Sequence, residues 1–129
     1  ILAGGIGITP FRSMVVRAAQ EKLAHRIFLF YSNRRPEDAA FLDELASLQQ
    51  QNPNYKFIPT MTDVSKSRRP WKGETGWINR EMLAKYLTGV ESATYYIAGP
   101  PAMVKALHAT LNAASVDDDD IRTEEFAGY

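Results

Sequence analysis

Cysteine is absent from the chain, which removes disulfides, thiolate-held iron–sulfur clusters and cysteine nucleophiles at a stroke. Histidine is scarce: His25 and His108 are the two in the sequence, too few to favour imidazole chemistry. An excess of either charge is also missing, because fifteen basic residues balance fifteen acidic ones. No global field therefore draws in nucleic acid or an anionic membrane, and any anion site has to be local. Apolar runs long enough to cross a bilayer are lacking, as is a signal-peptide pattern. The expectations are no nucleic-acid partner, no metal and no membrane span. The missing thiols are compatible with a cytoplasmic protein.

What remains is an ordinary globular composition, 45% hydrophobic and 23% charged over 129 residues, enough for one domain and too little for two. There is no initiator methionine, and only Ile1, Leu2 and Ala3 precede the first glycines. A central parallel strand needs about five residues, so the chain reads as part of a longer polypeptide.

The organising stretch is Ile1-Leu2-Ala3-Gly4-Gly5-Ile6-Gly7-Ile8-Thr9-Pro10-Phe11. It reads as strand end, glycine loop and helix start, with Thr9 as N-cap and Pro10 at the first helical position. A helix start offers unpaired amides and the positive end of the dipole, so the loop suits phosphate. It lacks the third glycine of G-x-G-x-x-G and the Gly-Lys-Ser/Thr of a P-loop, which makes it a variant.

Apolar residues at helical spacing from Phe11 to Leu23 predict an amphipathic helix, and Ile27 to Tyr31 a strand covered on both faces. Strand, helix and strand in this order make a right-handed βαβ unit and a parallel sheet. Ser32, Arg34 and Arg35 follow the second strand, and Pro36-Glu37-Asp38 is expected to open a second helix that buries Phe41, Leu42, Leu45 and Leu48. At that place in dinucleotide folds an arginine favours a 2′-phosphate and an acid favours a free 2′-hydroxyl. The arginines lean towards NADP, while Glu37 and Asp38 keep NAD open.

Tyr55 to Thr62 forms a third strand blemished by Pro59. The basic and aromatic loop 63–77, with Lys66, Arg68, Arg69, Trp71 and Lys72, fits a hairpin, a flap over a ligand, a docking surface or, by default, a solvated excursion. Asn79 caps another helix, with Ile78 stapled to Leu83. Ala93 to Ala98 is a fourth strand that runs into Gly99-Pro100-Pro101-Ala102-Met103 and a helix, repeating the opening pattern of strand, glycine turn and helix. The acidic run 117–120 is a solvated connection, and Ile121 to Phe126 a last strand. Two glycine turns on one carboxyl edge of a parallel sheet would flank a ligand at a change of strand order.

Gly-Gly-Ile-Gly-Ile-Thr-Pro-Phe, Tyr-Ser-Asn-Arg-Arg-Pro-Glu-Asp, Ala-Gly-Pro-Pro-Ala-Met and Glu-Glu-Phe-Ala-Gly-Tyr together resemble the nucleotide-binding half of the ferredoxin–NADP reductase-like family, which includes cytochrome b5 reductases and flavohaemoglobin reductase domains. The resemblance spans essentially the whole chain. It implies that Gly5, Gly7, Thr9 and Pro10 line a pyrophosphate, that Ser32, Arg34 and Arg35 surround an adenine ribose, and that Gly99, Pro100 and Met103 flank a nicotinamide. It also implies Glu124 and Phe126 near a flavin ring, with Phe126 and Tyr129 competing to shield it. Where many members carry a cysteine, this chain has Ala98, and the flavin-binding barrel with its Arg-x-Tyr-Ser/Thr type motif is not in the sequence.

The resulting expectation is a three-layer α/β domain over residues 1–129, with a mainly parallel five-stranded sheet in the order 3-2-1-4-5. It would hold NAD(P)H for hydride transfer to FAD or FMN on a flavin-binding domain, in cis or on a separate subunit, with an unidentified electron acceptor beyond. Glu124 is the residue with a catalytic role. The alternative is a nucleotide-binding or regulatory module without redox activity of its own. A hydrolytic α/β domain is disfavoured, because no nucleophile–base pair is present.

Overall fold

A computed structural model describes residues 1–126, so Tyr129 lies outside the described residues. The strands are β1 (Leu2–Gly4), β2 (Ile27–Asn33), β3 (Tyr55–Met61), β4 (Glu74–Thr75), β5 (Tyr95–Gly99) and β6 (Ile121–Glu125). The helices are α1 (Thr9–Gln20), α2 (Leu42–Gln51), α3 (Arg80–Tyr86) and α4 (Pro101–Ala113). All strands pair in parallel in one six-stranded sheet, ordered β4-β3-β2-β1-β5-β6. The expected order is intact from β3 to β6, and the correction is a short extra strand, β4, beyond β3.

Register explains why the central strands are apolar throughout. Leu2 lies level with Phe30 on one side and Ile97 on the other, and these side chains share a core with Leu83, Val104, Leu107 and Leu111 of α3 and α4. Ala3 lies level with Tyr31 and Ala98, which face the opposite core with Phe11, Val15, Leu45 and Leu48 of α1 and α2. Period-two alternation thus feeds two separate apolar layers, as a sheet covered on both faces requires.

Several local expectations are corrected. Thr9 is not an N-cap: Gly5–Ile8 forms a 3-10 turn, Ile8 occupies the cap position, and α1 begins at Thr9 with no side-chain cap. The helix closes at Gln20 because Lys22 turns left-handed at φ 51° and Leu23 donates back to the Ala18 carbonyl. Pro36–Asp38 does not open α2 but makes its own 3-10 turn. The chain then reverses through Phe41 at φ 61°, and α2 starts at Leu42. Phe41 is left 42% exposed rather than buried, stacked under the Arg12 guanidinium 4.7 Å from its ring centre. No hairpin forms between 63 and 77, where a 3-10 turn Val64–Lys66 precedes the parallel strand β4.

Pro59 sits inside β3, level with Tyr31, and the hydrogen-bond pattern shows why it is tolerated. Phe57, two residues earlier, sends its N–H away from β2 to the Gln49 side chain at 2.8 Å. Pro59 has the same orientation, and β4 pairing begins only at Thr60, so the missing donor falls on an open edge. Asn79 caps α3 as expected, accepting from the Met82 N–H at 2.8 Å.

Candidate functional site

Because every strand runs the same way, the turns that leave β1 and β5 emerge on one edge of the sheet. Gly5 makes the first turn possible with φ 54°, a region that costs other residues about 1 kcal/mol or more. The two turns touch. A methyl group on Gly7 would lie 2.3 Å from the Ala98 carbonyl oxygen and 2.9 Å from the Gly99 nitrogen. One on Gly99 would lie 3.4 Å from the Gly4 Cα. The Met103 sulfur, from the first turn of α4, covers both Gly4 and Gly99. Phe126 joins this assembly through its N–H, which donates to the Gly99 carbonyl at 2.9 Å.

A cavity of about 650 Å³ opens where the turns meet, lined by Gly4, Gly5, Thr9, Ser32, Arg34 and Met103 among others. That size is in the range of small-molecule sites, and it is bounded by the uncapped start of α1. Thr9 gives its N–H to the Ile6 carbonyl and Pro10 has none, so what this end of α1 offers an anion is the positive end of the dipole. A second cavity, about 700 Å³, lies at the other end of the strands around Phe28, Phe30 and Tyr95. It is somewhat larger, but it has no glycine turn and no helix start, so the chemistry favours the first.

At the far end of the first cavity, β2 delivers Ser32 and Asn33, both more than nine-tenths buried. The Asn33 side-chain nitrogen is buried without a hydrogen-bond partner among the described residues. An orphaned donor in the wall of a cavity is what a polar ligand would satisfy.

Beyond it, Arg35 is clamped by Asp38 through two bonds of 2.9 and 3.0 Å. The hydrogen bonds hold the guanidinium above and the Asp38 carboxyl below their ordinary pKa ranges. Glu37 is turned away to Ser67, whose hydroxyl donates at 2.7 Å, and to the Arg68 N–H at 3.0 Å, contacts that lower its pKa. Both acids that kept the ribose reading open thus have partners within the chain. The Arg34 side chain makes no hydrogen bond or ion pair among the described residues.

Of the residues expected at the site, Gly5, Thr9, Ser32, Arg34, Arg35, Pro100 and Met103 line this cavity. Gly7 and Gly99 lie behind it, packing the turns together, and Pro10 sits at the start of α1. Glu124 is exposed on β6, level with Ala98 and outside the cavity lining.

Trp77, Lys66, Thr62 and Asp63 line the cavity without having been singled out for it. Trp77 is 69% exposed although its neighbour is firmly held: the Gly76 N–H donates to Met61 at 2.9 Å, and the Gly76 carbonyl accepts from the Thr60 hydroxyl at 2.7 Å. Gly76, at φ 92°, precedes Trp77, and a glycine beside a tryptophan was the signal available in the sequence. Glu74 steadies the approach to this corner, accepting from Lys85 at 2.6 Å and from the Tyr86 hydroxyl.

The sequence model of the family described as oxidoreductase NAD-binding domain matches residues 1–109. One component of the Na(+)-translocating NADH-quinone reductase of Methylococcus capsulatus is 30% identical over 131 residues, which takes in 98% of this chain and 32% of the relative. A solved ferredoxin NADP+ reductase from Neisseria gonorrhoeae with bound FAD and NADP is 27% identical with a TM-score of 0.74, covering 96% of this chain and 54% of that one. The Flavohem-like-FAD/NAD binding domain of nitric oxide dioxygenase from Vibrio cholerae O1 biovar El Tor shares the fold, with a TM-score of 0.81 at 21% identity and coverage of 97% and 49%. The chain spans about a third of the length of the curated relatives it matches. No helix among the described residues is long and apolar enough to cross a membrane.

Proposed function

The chain belongs to the oxidoreductase NAD-binding domain family of ferredoxin–NADP reductase-like proteins, and from that premise we propose that it holds NAD(P)H for hydride transfer to a flavin, FAD or FMN, carried by another domain. The observation that carries this reading is the contact between the glycine turns after β1 and β5, which makes a cradle at a change of strand order. The reading takes the flavin domain to lie in the same polypeptide, as the FAD/NAD name of the Vibrio cholerae neighbour supports. It places the domain in the cytoplasm, in keeping with a sequence free of cysteine.

The nicotinamide ring, when bound, supplies the hydride. The residues of this chain bind and orient. Gly5, Gly7, Thr9 and Pro10 form the α1 end, where the glycine-turn backbone and the positive end of the helix dipole suit a pyrophosphate. Ser32 and Asn33 face the ribose, and the Trp77 indole offers a flat face on which a base can stack. Pro100 and Met103 bound the nicotinamide end. Glu124 takes a polar role near the flavin, supported by its place beside Ala98 on β6, and Phe126 the role of a ring cover, supported by its tie to Gly99.

Arg34 and Arg35 tilt the site towards NADPH. The test is titration of the chain with NADPH and NADH at several salt concentrations. The expected result is tighter binding of NADPH, erased in Arg34→Ala and weakened by added salt. Equal affinity in the parent chain rejects the NADP preference, and no binding of either rejects the reading itself. For Glu124, the expected result is that Glu124→Gln slows single-turnover flavin reduction in the flavin-containing protein more than it weakens nucleotide binding; unchanged rates reject the role.

A further inference from the structure

The two rims of the sheet are built differently. β4 covers the end of β3 on one side, whereas on the other no strand among the described residues pairs with the outer flank of β6. The Phe126 N–H points inwards to the Gly99 carbonyl, and the direction of the backbone groups alternates along a strand. Arg122 and Glu124 therefore turn their backbone groups towards β5, while Ile121, Thr123 and Glu125 turn theirs outwards, without partners among the described residues. The side chains alternate as well. Ile121 is buried in the core shared with α3 and α4, which puts Arg122 and Glu124 on the opposite face, both exposed.

We propose that β6 is a self-pairing edge, at which two copies of the chain join their sheets antiparallel across a two-fold axis at Thr123, in a register chosen by reciprocal pairs of Arg122 with the partner's Glu124. A rim of alternating free donors and acceptors is a template for another strand, and its own copy fits it by charge. With full overlap, the outward groups of Ile121, Thr123 and Glu125 meet those of the partner's Glu125, Thr123 and Ile121. Arg122 and Glu124 then fall at the non-hydrogen-bonded positions, where opposed side chains come closest, and each faces the other's counterpart. A slip that centres on Arg122 or on Glu124 instead sets like charges against each other, which is destabilising. Arg122 gives one N–H to the Asp119 carbonyl at 2.6 Å and keeps the rest of its fork, and Glu124 has no hydrogen bond or ion pair among the described residues. The acidic turn Asp118–Asp120 does not oppose the pairing, because the strand spacing holds the two copies of Asp120 about 20 Å apart along the axis of β6, beyond a screening length of about 8 Å. So short a seam buries less than a standard interface, which makes the association weak and concentration-dependent. It does not depend on what the cavity binds.

The experiment is sedimentation equilibrium of the chain from about ten micromolar to about one millimolar, where monomer is expected to pass into dimer. Arg122→Glu alone, or Glu124→Arg alone, turns both ion pairs into like-charge pairs and should weaken the dimer at least about tenfold. Mixed in equal amounts, the two variants regain both ion pairs across the seam, so the mixture should dimerise at concentrations where neither does alone. Both side chains are exposed, so each variant should melt with the parent. A parent that stays monomeric throughout, single variants that dimerise as the parent does, or a mixture that associates no better than its components overturns the proposal, and each leaves the dinucleotide site standing.

Discussion

One methyl group added at Gly7 should separate the two turns on which the cradle depends. In Gly7→Ala the new carbon would stand 2.3 Å from the Ala98 carbonyl oxygen, about 1 Å short of the 3.4 Å at which ordinary contact begins. Its other near neighbours, the Ala98 carbon at 2.6 Å and the Gly99 nitrogen at 2.9 Å, are also backbone and cannot swing aside. Overpacking of this kind costs roughly 1–3 kcal/mol, and a clash with paired β-strand backbone belongs at the upper end. At about 2.1 cal/mol/K of unfolding entropy per residue, a loss of about 3 kcal/mol lowers the melting temperature of a domain this size by roughly 10 °C.

Gly4→Ala is the internal control, because its added methyl meets the end of the Met103 side chain, which can change rotamer. Its expected cost is below about 1 kcal/mol, or roughly 4 °C. Thermal denaturation followed by circular dichroism, with NADPH titration of the same samples, reads both effects. Gly7→Ala should also lose at least about tenfold in affinity as the turns part. If Gly7→Ala melts no lower than Gly4→Ala, the contact between the turns is not the structural key that the cradle requires.

Three further outcomes are expected. Trp77→Ala should weaken NADPH binding about tenfold through the loss of one stacking surface, with little change in melting because the ring is 69% exposed; unchanged affinity counts against stacking. Asn79→Ala removes the acceptor for the Met82 N–H and should destabilise the chain by about 1 kcal/mol without altering nucleotide affinity, as read by urea denaturation. The Glu37 and Asp38 carboxylates have folded pKa values below their ordinary ones, so their contribution is complete above the usual carboxylate range near pH 4 and is lost only as the pH falls through the lowered folded values. Hydrogen exchange at the Arg68 amide, corrected for its intrinsic pH dependence, should show constant protection from pH 8 to 6; a loss of protection in that window contradicts the assignment.

Much of the fold was legible because it rests on signals local to the chain. The continuous apolar run before Ser32, the Asn79 cap and the glycines after β1 and β5 each specify their own element. What escaped depended on partners distant in sequence. Glu37 looked like a ribose acid until its contacts with Ser67 and Arg68, thirty and more residues away, took both its oxygens. β4 consists of Glu74 and Thr75, which carry no strand pattern and are strand only because Thr60 and Met61 stand beside them. Phe41 read as a core residue on helical spacing, but the 3-10 turn at Pro36–Asp38 ends one helical register before α2 begins another. The cavity shows the same division: the glycines announced it, whereas Trp77 and Lys66 reach it through the long loop for which a flap over a ligand was one expectation and a solvated excursion the default.

The pattern of donors along the outer flank of β3 also bears on how the domain behaves in a crowded solution. Tyr55 gives its N–H to Asn52 and Phe57 to Gln49, Pro59 has none to give, and the last two residues are covered by β4. A stray peptide approaching that rim finds no row of free amides to copy, so this flank of the sheet is guarded against fibril-like growth by a proline, a glutamine and a two-residue strand.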